Sequence, residues 1–125
     1  MKYMLLIHHV NDTEIEEGLR VKLLGESVQL AHDLHANGQY IDAAPLHPST
    51  ETVSVTVRDG KRLVTDGPFA ETREQIGGYF MVEAASLEEA VEIAGRIPSA
   101  TIGTVEVRPV REVDGLPEVS QIPLL

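Results

Sequence analysis

The chain has 125 residues, a length typical of one domain with a single hydrophobic core. Its 20 acidic and 10 basic residues give a formal net charge of −10, which would repel a phosphate backbone, so we expect no nucleic-acid partner. The absence of cysteine excludes disulfides, thiolate catalysis and cysteine-ligated metal sites.

The N-terminal segment predicts a buried strand. Residues 2–8 are rich in leucine, methionine, isoleucine and tyrosine, as expected of a strand that helices cover on one face. His8 and His9 end this apolar run too early for a signal peptide or a membrane-spanning helix. We therefore expect a cytoplasmic protein that does not associate with membranes.

Residues 14–37 predict the first helix. Its candidate N-caps are Asn11, Asp12 and Thr13, and Gly38 can adopt the left-handed conformation that ends a helix. A compact leucine stripe should face the sheet, and it consists of Leu19, Leu23, Leu30 and Leu34. Further apolar residues widen this stripe and indicate a second surface to cover, and they are Val21, Leu24 and Val28.

A β-hairpin is predicted in the middle of the chain, after a short strand at residues 40–44 that Pro45 and Pro48 end. Residues 53–57 alternate valine with serine and threonine, Asp59-Gly60 favours a type I′ turn, and residues 61–65 form the returning strand. A two-residue turn determines the register. It places Val55 opposite Val64 and Val53 opposite Asp66, so Asp66 should lie on the valine face.

The remaining segments predict a loop, a strand, a helix and a last strand. The loop covers residues 67–76 and the strand residues 77–84. A second helix should start at a capping box of Ser86 and Glu89 and end at Pro98. Residues 103–110 alternate as a final strand, and we expect residues 111–125 to form an extended tail after a domain of residues 1–110.

This order of elements predicts an α+β fold of the ferredoxin-like, split βαβ class with an inserted β-hairpin. Such a sheet carries helices on only one of its faces. The other face must be solvated or paired, and the apolar content of the chain favours pairing with a second copy, with two sheets back to back. We therefore expect a homodimer.

The segment VTDGPFAETREQIGGY, residues 64–79, resembles the defining stretch of the DGPF branch of the YCII-related proteins. The first seven residues, the second helix and residues 103–109 are also similar to that family, so the resemblance covers residues 1–110. It implies a dimeric ferredoxin-like α+β barrel with a cleft near the DGPF loop. The biochemical function of this branch is largely unassigned.

Distant relatives within this family imply a chemistry. They are thought to use a histidine and an aspartate as acid and base, and one characterised type removes chloride from a hydroxylated aromatic ring. Their histidine lies on the first helix, eleven residues before the glycine that ends it, and that position is Ser27 here. The family histidine is therefore not conserved in place.

The candidate catalytic residues are Asp66 and His47. A rigid Gly-Pro turn follows Asp66, which could act as a general base or a hydrogen-bond acceptor; alternatively its carboxylate caps its own loop as an Asx turn. His47 follows the second strand, which the resemblance places beside the cleft, so it could donate or shuttle a proton. A structural or exposed histidine is the alternative.

The candidate substrate-binding residues follow Asp66 in the DGPF loop: Phe69, Glu71, Thr72 and Arg73. An acid, a hydroxyl and a planar cation could orient a small carboxylate or enolate, although solvated loop charges would have the same sequence. A loop phenylalanine can stack on a substrate, or it can plug the loop onto the core.

The other histidines do not predict a metal site. His32 and His35 share a helix face, but the spacing supplies no third ligand, and His8 and His9 point to opposite faces of a strand. No organic cofactor is implied.

Three functions remain open, and the third is a stress-related structural dimer with no ligand. The first is a small YCII-like enzyme of the lyase or hydrolase type. It would bind a small polar or hydroxyaromatic compound between the hairpin and the first helix and use acid–base chemistry. The alternative is a non-catalytic module that senses a ligand or binds a partner. It is suggested because many genes of this branch are associated with alternative sigma factors.

Overall fold

The computed structural model describes residues 1–70 and 72–117. A four-stranded sheet forms the centre of the fold, and two α-helices pack on it. In chain order the elements are β1 (Lys2–His9), α1 (Glu17–Ala36), β2 (Tyr40–Pro45), β3 (Val53–Arg58), β4 (Lys61–Asp66), β5 (Gln75–Glu83), α2 (Leu87–Arg96) and β6 (Thr104–Pro109). Among these residues, no helix is long and apolar enough to cross a membrane.

The topology confirms the predicted ferredoxin-like class. The sheet order is β2-β5-β1-β6, each neighbouring pair is antiparallel, and the β3–β4 hairpin forms a separate two-stranded sheet. The four core strands with their two helices make the split βαβ pattern. The hairpin is inserted between the second and third strands of that pattern.

Helix α1 begins later than predicted. Residues 12–14 form a separate short 3₁₀ turn, and the N-cap of α1 is Glu16. Its carboxylate accepts hydrogen bonds from the backbone amides of Gly18 at 2.8 Å and Leu19 at 2.9 Å, and these bonds lower the pKa of Glu16. The predicted end is confirmed, because Gly38 has a φ of +73° and follows the last turn.

The leucine stripe of α1 lies in the core, as predicted for three of its four members. Leu23, Leu30 and Leu34 are buried, whereas Leu19 is partly exposed. The stripe packs on alternate side chains of the two central strands, which are Tyr3, Leu5, Ile7, Phe80 and Val82. Helix α2 completes this core with Ala90, Ile93 and Ala94.

The hairpin has the predicted turn and register. Asp59 and Gly60 both have positive φ angles, 51° and 74°, as a type I′ turn requires. Val55 is opposite Val64, and Val53 is opposite Asp66, so the carboxylate does lie on the valine face. That face is exposed, with more than half of each valine side chain accessible.

The last two elements differ from prediction only at their ends. Ser86 caps α2 by accepting a hydrogen bond from the Glu89 amide at 3.2 Å, but the Glu89 carboxylate accepts from Ala85 rather than from Ser86 itself. Of the predicted C-terminal tail, residues 118–125 lie outside the part of the chain that the structure describes.

Candidate functional site

A cavity of about 540 Å³ lies between α1 and the central sheet, a volume that suits a small ligand. Most of its wall is apolar. The apolar lining includes Ile7, Leu23, Leu24, Val28, Ala31, Ala43, Leu46 and Phe80. Leu24 and Val28 belong to the widened apolar arc of α1, so the second surface that this arc indicated is the wall of a cavity.

A few polar side chains also line this cavity. Helix α1 contributes Arg20, Ser27, His32 and His35, and β1 contributes His9. The Ser27 hydroxyl donates to the Leu23 carbonyl at 2.8 Å, within its own helix. The two helix histidines lie on one face, as their spacing predicts, and the His35 ring meets Tyr40 edge-on at 6.4 Å between ring centroids.

His9 occupies a position that a β-bulge creates. The pairing of β1 with β5 shifts between Ile7 and His8, which leaves Gly77 as an extra residue on β5. A Cβ atom on Gly77 would lie 2.1 Å from His9 Nε2, so the imidazole ring packs directly on this glycine. Gly103, just before β6, lies close to the opposite edge of β1. A Cβ atom placed on Gly103 would lie 2.0 Å from the His8 carbonyl oxygen.

The hydrogen bond of His9 determines its tautomer when the ring is neutral. Its Nδ1 lies 2.5 Å from the carbonyl oxygen of Val10. A carbonyl oxygen can only accept, so Nδ1 carries the proton and Nε2 keeps the lone pair. His9 can therefore take a proton through Nε2 at the end of the cavity.

A tyrosine at the rim is held in its neutral form. The Tyr79 hydroxyl donates to Asp42 Oδ2 at 2.6 Å, and this hydrogen bond raises the pKa of Tyr79. The carboxylate of Asp42 thereby fixes the orientation of the phenol.

The predicted residues of the DGPF loop do not line this cavity. Asp66 is exposed at the end of β4, and Arg73 is exposed further along the loop. Phe69 is 96% exposed, so the interpretation in which it plugs the loop onto the core of its own chain is wrong. The Thr72 hydroxyl donates to the Glu74 carbonyl at 2.6 Å. Glu71 lies outside the described residues.

The DGPF loop is attached to the hairpin by local hydrogen bonds. Ser54 Oγ donates to the Gly67 carbonyl at 2.6 Å, and the Gly67 amide donates to the Thr52 carbonyl at 2.7 Å. Gly67 has a φ of +91°, which favours glycine at this turn. These two hydrogen bonds join the start of the loop to the hairpin, and the cavity lies between α1 and the central sheet rather than at the expected position between the hairpin and the first helix.

His47 lies just outside the cavity. Its side chain is 86% exposed, and Nδ1 is 3.2 Å from a Glu51 carboxylate oxygen. It borders a depression of only about 10 Å³, whose wall also includes His9 and Leu46. The structure thus brings His47 near the end of the cavity, but as an exposed side chain.

Sequence reasoning did not select His9 and Arg20. The signal for His9 was the pair of glycines in β5, of which Gly77 makes room for the ring, but a bulge cannot be recognised from one strand alone. Arg20 is one turn N-terminal to Leu23 and Leu24, so the widened apolar arc could have indicated it.

Comparison with known proteins identifies the family. The YCII-related domain matches residues 1–114. An uncharacterized protein of Rhizobium meliloti is 38% identical over 93 residues, which cover 67% of this chain and 75% of that protein.

A solved structure shares the fold at low identity. It is the 5-chloro-2-hydroxyhydroquinone dehydrochlorinase TftG of Burkholderia phenoliruptrix AC1100 in complex with 2,5-dihydroxybenzoquinone. The match has a TM-score of 0.50 and 14% identity, and it covers 90% of this chain and 96% of that one. The extent of the family match over residues 1–114 shows that this chain belongs to the YCII-related family.

Proposed function

We propose that this protein is an enzyme that binds a small hydroxylated ring compound in the cavity between α1 and the central sheet and catalyses an acid–base reaction on it. The observation that carries the proposal is the cavity of about 540 Å³, which combines an apolar wall with the imidazole of His9 at one end. An apolar wall with few polar groups suits a ring that carries hydroxyl substituents. The complex of TftG with 2,5-dihydroxybenzoquinone supports the same class of compound.

His9 is the proposed general base. Its Nε2 keeps the lone pair because Nδ1 donates to Val10, and Gly77 holds the ring against the bulge. A ring hydroxyl that lies against Nε2 would lose its proton to the imidazole, and the resulting oxyanion would release electron density into the ring. Ser27, across the cavity on α1, can accept or donate a hydrogen bond to a second substituent.

Homodimer formation is part of the proposal. An isolated two-stranded hairpin is at best marginally stable, and the valine face of β3 and β4 has no cover within the described part of its own chain. A second copy would cover that face. Because Asp66 lies on the valine face, the interface would include its carboxylate and bring Phe69, Thr72 and Arg73, which follow it in the loop, close to the partner.

Asp66 and His47 therefore remain proposed as a second acid–base pair that the dimer would assemble. Replacement by Asp66→Asn keeps the shape of the side chain and removes its charge. We expect turnover to fall by orders of magnitude with an intact fold if the carboxylate acts in catalysis. A loss of stability alone would assign Asp66 to capping of its loop, and an unchanged variant would exclude this residue from the site.

Binding without turnover is the second candidate function. It is favoured by the position of Asp66 and His47, which do not line the cavity of a single chain. A ligand sensor or a partner-binding module needs the cavity but not the acid–base pair. It would show ligand affinity and no conversion of the ligand.

The test uses hydroxyhydroquinone, its 5-chloro derivative and catechol as probes. Binding is followed by amide and imidazole NMR shifts, and conversion by chromatography and chloride release. We expect His9→Gln to retain binding and to lose turnover by about 10²–10⁴-fold, the typical contribution of a general base. Unchanged turnover in this variant would refute the role of His9, and a lack of binding by all three probes would refute the cavity as the site.

His8→Gln is the matched control. His8 neighbours His9 in the strand, points to the other face and has its Nε2 3.1 Å from a Glu106 carboxylate oxygen. Its replacement should leave turnover unchanged, which separates the loss of one imidazole from the loss of any histidine in β1.

A further inference from the structure

The cavity has a charge opposite to that of the rest of the chain. Acidic residues outnumber basic ones by 20 to 10 in the sequence. Yet the ionisable side chains that line the cavity, within the part of the chain that the structure describes, include an arginine and three of the five histidines and no carboxylate. Among the described residues, the side chain of this lining that is always charged is thus Arg20, a cation in an acidic chain.

Arg20 and the three histidines come from two opposing walls. Helix α1 presents Arg20 one turn before Leu23 and Leu24, and His32 and His35 two to three turns beyond them. Strand β1 presents His9 from the sheet side. A ligand that lies between the helix and the sheet can thus contact Arg20 on one wall and His9 on the other, with its ring against the apolar lining.

We propose, on the basis of the function proposed above, that the ligand of this cavity is an anion: a ring compound with a carboxylate or an ionised ring oxygen, whose negative charge Arg20 binds, with ring N–H groups of His32 and His35 as further donors. A guanidinium group matches the two oxygens of a carboxylate with two parallel N–H donors. A neutral hydroxylated ring would leave these donors without an anionic partner.

The net negative charge of the chain affects how an anionic ligand approaches the cavity. An anion in solution is repelled by a chain of net charge −10, and the repulsion is screened by salt. Affinity must therefore come from short-range contacts inside the cavity. Neutral compounds of the same shape would enter more easily but bind more weakly, so the cavity rather than the surface determines which ring compound is retained.

The experiment compares two probes that differ in one charge: 2,5-dihydroxybenzoate and 2,5-dihydroxybenzamide. Their dissociation constants for the full chain are measured by NMR titration at pH 7. Hydrogen bonds to a charged group contribute more than those to a neutral one, so we expect the benzoate to bind at least about tenfold more tightly.

Arg20→Gln tests the assigned residue. We expect it to reduce the preference for the benzoate by about tenfold and to leave the affinity for the amide unchanged. Because Arg20 is exposed, the variant should fold, which its amide NMR spectrum checks. Arg58→Gln is the matched control, since Arg58 lies at the hairpin turn and donates to the Val57 carbonyl at 2.9 Å.

The outcomes separate this inference from the function on which it rests. If the amide binds as tightly as the benzoate, the anionic ligand is refuted and the ring-binding cavity stands. If neither probe binds, the proposed function and this inference fail together. If Arg20→Gln weakens both probes equally, Arg20 does not bind the negative charge and its assignment is overturned.

Discussion

The packing of His9 on Gly77 gives the sharpest structural prediction. In Gly77→Ala the new Cβ would lie 2.1 Å from Nε2, 2.6 Å from Cε1 and 2.8 Å from Cδ2 of His9. These contacts are too short to persist, but the ring is the end of a side chain and can rotate away. We expect a loss of about 1 kcal/mol in the free energy of unfolding, at the lower end of the effect of overpacking.

Two further glycines supply the comparison. In Gly103→Ala the Cβ would lie 2.0 Å from the His8 carbonyl oxygen, which is backbone and cannot rotate. Strands β1 and β6 would have to separate where His8 pairs with Thr104, so we expect a loss of about 3 kcal/mol. In Gly25→Ala the Cβ meets nothing within 4 Å inside α1, and alanine should stabilise the helix by about 0.5–1 kcal/mol.

The assay is urea denaturation of all three variants at one protein concentration, together with titration of 2,5-dihydroxybenzoate. Gly77→Ala should weaken the probe because the imidazole ring leaves its position, whereas Gly25→Ala should not. The order of stabilities is the critical result. A Gly77→Ala variant as unstable as Gly103→Ala, or one with unchanged stability and unchanged binding, would refute the position of His9.

Three other predictions concern the core, the hairpin and the first helix cap. Leu34→Ala should lower the free energy of unfolding by about 2–5 kcal/mol because Leu34 is 0% exposed. Leu24→Ala should lower it by less because Leu24 is 50% exposed. Equal losses of unfolding free energy in urea denaturation would contradict this prediction. Val55→Lys should keep the fold and weaken the proposed homodimer, since Val55 is 59% exposed on the valine face. If light scattering measures the same dimer mass for the variant as for wild type, that face is not the interface. Glu16 has a pKa below its ordinary value of 4.5, so its cap stabilises the protein above that value, and the stabilisation is lost as the pH falls through the lowered pKa. Wild type should exceed Glu16→Gln in stability at pH 7, with the difference closing below pH 4.5; a difference that stays constant down to pH 3 would count against the cap.

Local signals in the sequence predicted the elements well. The Asp59-Gly60 turn and the valine alternation were sufficient to predict the register of β3 and β4, because a two-residue turn allows one pairing. Gly38 predicted the end of α1 for an equally local reason. The start of α1 was wrong because several neighbouring residues can serve as N-caps, and Glu16 was chosen by its two amide partners.

The candidate site was harder to predict. The DGPF motif directed attention to Asp66 and Phe69, since it is the most specific segment of the sequence, yet in a single chain both are exposed. The cavity is lined by residues from distant parts of the chain. Its position depends on how far α1 stands from the sheet, which no single segment encodes.

The sequence by itself determined the order of the elements, the hairpin register and the leucine stripe that attaches α1 to the sheet, because each depends on residues a few positions apart. Only the tertiary structure decided that Leu24, Val28 and Arg20 face a cavity and that His9, packed on the bulged Gly77, lines it. These features arise from the contact of β5 with β1 and α1, which lie tens of residues before it in the chain. Long-range packing therefore determines the position of the site, while local pattern determines the parts from which it is built.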